Sequence, residues 1–152
     1  MLMLKLEWSS VLDTGIEEID NQHRRLVDYI NELGEARKTN DMKLVGKVID
    51  DTIDYTISHF GFEESLIEEA GYKMLRPHKK VHELFVRRVA DFQKRFKAGE
   101  DISEELHALL SRWLVSHIKH DDHAYAECVK KYLNLPDTPK RQQTWIERFF
   151  GM

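Results

Sequence analysis

A single proline, Pro77, interrupts the first 135 residues of this chain, and glycine occurs only seven times in all 152. Proline breaks helix interiors and glycine weakens them. A chain this poor in both is free to run as long helices. The apolar residues then recur at helical spacing, as Ile19, Leu26, Val27 and Ile30 do after a turn-like Asp13, Thr14 and Gly15. A leading arm over residues 1–18 carries Trp8. The first helix is read from Asp20, as its N-cap, to about Lys38. Asp41 caps a second that ends near Ala70, stopped by Gly71. A third starts around Pro77, whose missing N–H is tolerated in a first turn, and reaches the break at Ala98 and Gly99. Ser103 caps a fourth that extends to about Tyr132. Four long helices with short links predict an all-α fold, an up-down-up-down antiparallel four-helix bundle over residues 1–135. After Leu135 the text changes, with Pro136 and Pro139 leading into Trp145, Ile146, Phe149 and Phe150. Residues 136–152 read as an appendage, one short amphipathic helix that docks on its own bundle or meets a protein partner.

The chain is long enough for one domain with a real core. Charged residues make up 33% and hydrophobic ones 41%, a soluble globular balance. Net charge is −4 and basic residues cluster only in pairs such as Arg87-Arg88, so no nucleic-acid partner is expected. No transmembrane segment is read. Glu7 follows the first apolar residues too soon for a signal peptide. Cys128 is the only cysteine, which rules out an internal disulfide and suits a reducing cytoplasm. A monomer is expected.

Function is written in the histidines. His59 and Glu63 are four apart, as are His78 and His82, while His117 and Asp122 are five apart and His23 stands alone on the first helix. Residues four apart on a helix share one face. These side chains fall on predicted inner faces, where an unpartnered polar group costs about 1–3 kcal/mol. Five imidazoles and two carboxylates form a nitrogen-rich donor set, suited to transition metals and not to calcium or magnesium. A ferritin-like centre needs Glu-x-x-His on two helices, and the one match, Glu104 to His107, lies off the inner stripe. A zinc hydrolase needs three ligands, not seven. Two haem-binding histidines would leave the carboxylates unexplained. Seven ligands suit two irons bridged by Glu63 and Asp122. Residues five apart on a regular helix differ by roughly 140°, so the segment between His117 and Asp122 is predicted to widen into a π-type turn.

Over residues 8–133 the chain resembles the bacterial hemerythrins. The resemblance rests on Trp8, Gly15, Asp20, Gln22-His23, His59-Phe60, Glu63-Glu64, Gly71-Tyr72, Pro77, His78 and His82, then Trp113-Leu114, His117-Ile118 and Asp122. It implies an oxo- or hydroxo-bridged pair of iron ions (Fe2+/Fe3+), one held by His78, His82 and His117, the other by His23 and His59 with one position vacant for dioxygen. Glu63 and Asp122 would bridge them. Leu26, Phe60, Trp113, Leu114 and Ile118, one turn from the ligands, would wall an apolar oxygen pocket. The function so implied is reversible oxygen binding for storage, transport or delivery, without catalysis. The alternatives are a sensor of oxygen, nitric oxide or iron, and a di-iron enzyme reducing peroxide or nitric oxide. His107, His120 and His123 fit no ligand position and are read as solvated or rim residues. Thr52 and Tyr55 could hydrogen-bond the ligand imidazoles or simply pack, and Cys128 is read as a small buried hydrophobe on the inner face.

Overall fold

The computed structural model describes residues 5–134. After a 3₁₀ turn at Ser10–Leu12 come α1 (Glu17–Lys38), α2 (Met42–Glu69), α3 (Leu75–Lys97) and α4 (Ser103–His117). A π turn, Ile118–Asp122, joins α4 to α5 (His123–Leu133). With the short connections at 39–41, 70–74 and 98–102, successive helices run antiparallel. Helix α1 packs on α2 and α4, and α2 on α3 and α5. This is the expected four-helix bundle, with α4, the π turn and α5 forming its last rod. The appendage read over residues 136–152 lies outside the described residues.

Local chemistry explains where each helix starts and stops. Asp41 caps α2 as expected, its Oδ1 accepting from the Lys43 and Leu44 amides at 3.1 and 3.2 Å. Gly71 takes a positive φ of 74°, which lets its own N–H and that of Tyr72 bond back to Glu68 and Ile67. Gly99, at φ 97°, ends α3 the same way through bonds to Phe96 and Arg95. Two expected caps move. Asp20 lies inside α1, and its carboxylate instead reaches back to the Thr14 and Gly15 amides and the Thr14 hydroxyl, which fixes the leading arm. Ser103 is the first helical residue of α4, because Asp101 supplies the oxygen that accepts from the Ser103 amide. Helix α3 begins at Leu75, two residues before Pro77, still within the turn where a missing N–H costs nothing.

Among the described residues the buried apolar side chains form two clusters. One, including Leu26, Ile30, Val45, Phe85, Val89 and Leu110, fills one end of the bundle. The other, including Ile19, Phe62, Leu66, Tyr125 and Val129, fills the opposite end. Between them lies a layer of buried polar residues. Sequence order shows the division on each helix: His23 falls between Ile19 and Leu26, and Asp122 between Ile118 and Tyr125. Water is shut out of that layer from both ends.

Candidate metal centre

All seven side chains singled out as metal ligands converge in the polar layer, and all are buried, with His23, Glu63 and Asp122 wholly inaccessible. They form two overlapping groups. Glu63, His78, His82, His117 and Asp122 bring one donor atom each within 4.8 Å of one another, and so do His23, His59, Glu63 and Asp122. The two carboxylates belong to both groups, and each divides its oxygens between them. Glu63 Oε1 lies 2.6 Å from His78 Nε2 and 3.0 Å from His82 Nε2, while Oε2 lies 3.4 Å from His59 Nε2. Asp122 Oδ1 lies 3.1 Å from His117 Nε2, while Oδ2 lies 3.0 Å from His23 Nε2.

Hydrogen bonds on the outer side of the rings fix which nitrogen faces inward. His82 Nδ1 meets Glu64 at 2.8 Å, His117 Nδ1 meets Asp121 at 2.8 Å, and His59 Nδ1 meets Gln22 Oε1 at 2.6 Å. An N–H donated outward at Nδ1 leaves the Nε2 lone pair pointing in. His82 Nε2 and His117 Nε2 then face each other at 3.0 Å, with Glu63 Oε1 beside them. Among the described residues His23 Nε2, His59 Nε2 and both Asp122 oxygens, one oxygen toward each group, are buried close to their neighbours but in no well-aligned hydrogen bond. Lone pairs crowded together, with orphaned acceptors among them, form a site that a cation completes. The donor set of imidazole and carboxylate fits iron.

The electrostatics agree. Burial alone would raise the Glu63 pKa, yet the imidazoles of His117, His23, His59 and His78 around its oxygens hold it well below the usual carboxylate range. Asp122 is lowered too, by His117 and His23 against the pull of burial and of Glu63. Burial opposes charge on His23 and His78, but the Asp122 and Glu63 carboxylates close beside them lift both to about 9. Burial dominates at His59 and lowers its pKa. Tyr125, raised well above the normal phenol value by burial and by the nearby carboxylates, stays protonated and donates 2.9 Å to Glu63 Oε2.

The π turn forms where the five-residue spacing predicts it, with the His123 amide bonding to the Ile118 carbonyl. Its effect is specific. Consecutive residues Asp121 and Asp122 address the two nitrogens of one ring, Asp121 at Nδ1 and Asp122 at Nε2. Adjacent positions on a regular helix, about 100° apart, could not both do so.

Above this layer the rings stack. Phe60 lies on His82 with centroids 3.8 Å apart, and Trp113 on His117 at 4.3 Å. Both border an apolar cavity of about 10 Å³ for the centre of a water-sized sphere, room for one small guest. Of the residues read as an apolar pocket wall, Leu26, Phe60, Trp113 and Leu114 line this cavity; Ile118 does not and is buried in the same apolar cluster. Thr52 and Thr56 also line the cavity, with hydroxyls that donate to the carbonyls of Val48 and Thr52.

Several expectations are corrected. Thr52 bonds its own helix and the Tyr55 ring lies beside Tyr29, so neither partners a ligand imidazole. That role falls to Gln22, Glu64 and Asp121, while Tyr125 holds a carboxylate. Of these only Asp121, four residues after His117, carries a spacing signal in the sequence. His107 is buried, not solvated, whereas His120 is exposed and His123 half-buried. Cys128 is half-buried, its Sγ directed at the Ala70 carbonyl.

Comparison with known proteins agrees with this geometry. The sequence model of the hemerythrin HHE cation binding domain matches residues 14–129. A bacteriohemerythrin of Stenotrophomonas maltophilia is 49% identical over 98% of this chain and 100% of its own length. One from Pseudomonas aeruginosa is 46% identical over the same shares. The solved structure of a wild-type hemerythrin superposes with a TM-score of 0.78 at 32% identity, covering 85% of this chain and 98% of that one.

Proposed function

This chain belongs to the hemerythrin family, and from that premise we propose that it binds dioxygen reversibly at a pair of non-haem irons, to store or deliver it. The observation that carries the reading is the division of Glu63 and Asp122 between two donor groups of unequal size. His78, His82 and His117 would hold one iron, His23 and His59 the other, with both carboxylates shared. The smaller group offers one imidazole fewer, which leaves a place for a guest. When bound, the iron pair supplies the electrons and the open coordination position that dioxygen requires.

The rest is done by the protein. Outward bonds from Nδ1 of His59, His82 and His117 keep each ring turned with Nε2 inward. Tyr125 fixes the Glu63 carboxylate by a single donated bond. Leu26, Phe60, Trp113 and Leu114 admit a small apolar guest and exclude water. The two threonine hydroxyls in the wall have their protons committed to backbone carbonyls. A site so poor in free proton donors favours return of the guest unchanged, and so a carrier over a catalyst.

The test is the visible spectrum of the reduced, iron-loaded protein before and after air. A band that appears with air and disappears on degassing is expected. Steady turnover with an electron donor, with no reversible band, would mean an enzyme instead.

A further inference from the structure

The hydrogen bonds behind the imidazoles are not equivalent on the two sides. Behind the larger group, His82 and His117 each face a carboxylate, Glu64 and Asp121. Behind the smaller one, His59 faces the neutral amide oxygen of Gln22, and His23 Nδ1 is buried with no partner among the described residues. The Gln22 amide is itself held in that orientation, because its Nε2 donates to Glu18 Oε1 at 3.0 Å. A carboxylate on the outer N–H draws the proton and enriches Nε2, making it a stronger donor; an amide does so less, and an absent partner not at all. A charge therefore stands one hydrogen bond away from His59, on Glu18, and is kept there by the orientation of a single amide.

We infer that Gln22 is a positioning residue that keeps the His23/His59 ion the weaker and more exchangeable of the two, so that the His78/His82/His117 position fills first and the other second. The inference rests on the metal centre proposed above. To the one imidazole fewer on that side it adds a difference in donor strength between two positions that share both their carboxylates.

A charge-neutral exchange isolates the effect. In the double variant Glu18→Gln/Gln22→Glu the hydrogen bond between the two positions is retained with donor and acceptor reversed, net charge is unchanged, and the carboxylate now faces His59. Gln22→Leu removes the partner altogether. The metal-free protein is titrated with Co2+ alone, without oxygen, against a competing chelator, and binding is followed by calorimetry and by the cobalt absorption bands. For the parent, two steps are expected. The double variant should tighten the second step by about tenfold and Gln22→Leu should weaken it by about tenfold, the lower end of the range for such outer partners, with the first step little changed. Tightening is a gain that a residue of merely structural value could not give. Equal steps in the parent, or a second step unmoved in either folded variant, overturns the assignment; if the double variant does not fold, Gln22→Leu decides alone. A parent that binds fewer than two ions overturns the metal centre itself, and so the two failures are told apart.

Discussion

Glu63 is the hub of the polar layer, with five histidines and Tyr125 around its two oxygens. Replacing it by alanine removes a donor from both metal positions at once. Glu63→Ala is expected to retain at most one iron per chain, as measured by metal analysis after gel filtration; two tightly held irons would show that it bridges nothing. Leu114 tests the wall. It is buried and lines the cavity one turn before His117, so Leu114→Ala should admit water and speed irreversible oxidation of the oxygenated protein. The same truncation costs roughly 2–5 kcal/mol of stability, and the two effects separate if oxidation is followed well below the melting temperature. Most of the candidate ligands were legible in the sequence because helical spacing fixes which face a side chain takes. The partners behind them were not, since Gln22 meets His59 from 37 positions away and no periodicity within one helix encodes a meeting between two.

At the scale of elements, the π turn accounts both for what sequence reading found and for what it missed. Its extra residue lets Asp122 reach the site, and it also advances every later position by one. On an unbroken helix, positions 121, 124 and 128 would continue the His117 face. The buried residues of this segment are instead Asp122, Tyr125, Ala126 and Val129, with Ala124 exposed and Cys128 half-buried. Without that one step, helical spacing puts Cys128 on the inner face and leaves Tyr125 off it. Deleting the exposed Lys119 should return the segment to a regular helix with its apolar stripe still facing the core. Asp121 and Asp122 could then no longer take both nitrogens of His117. The expected outcome is unchanged helicity by circular dichroism with metal held at least about tenfold more weakly. Full affinity in that variant would mean that the widened turn is incidental. The helix ends that sequence placed well, at Asp41, Gly71 and Gly99, are those whose caps are purely local. Asp20 and Ser103 escaped because their partners lie in the arm and in the preceding loop.

For the whole molecule, a charged layer between two apolar clusters ties stability to pH. In the iron-free protein His23 and His78 titrate at about 9 instead of 6.5. A pKa raised on folding contributes stability that is fully present below pH 6.5 and lost as pH rises through about 9. His59 and His107, both lowered by burial, have already given their full contribution above pH 6.5 and add no slope there. The melting temperature of the iron-free protein should therefore fall between pH 6.5 and 9, and His23→Ala should flatten that fall; a level profile in the parent would count against the ion pairs. The same arrangement makes metal loading an exchange. With those pKa values raised, the layer carries protons on His23 and His78 at neutral pH, on nitrogens that the proposed iron pair would take. Filling the centre has to expel at least those two protons from a compartment closed at both ends. The bundle must therefore open, briefly and locally, each time it is charged with metal, and a pH-stat following the loading would record how fast it breathes.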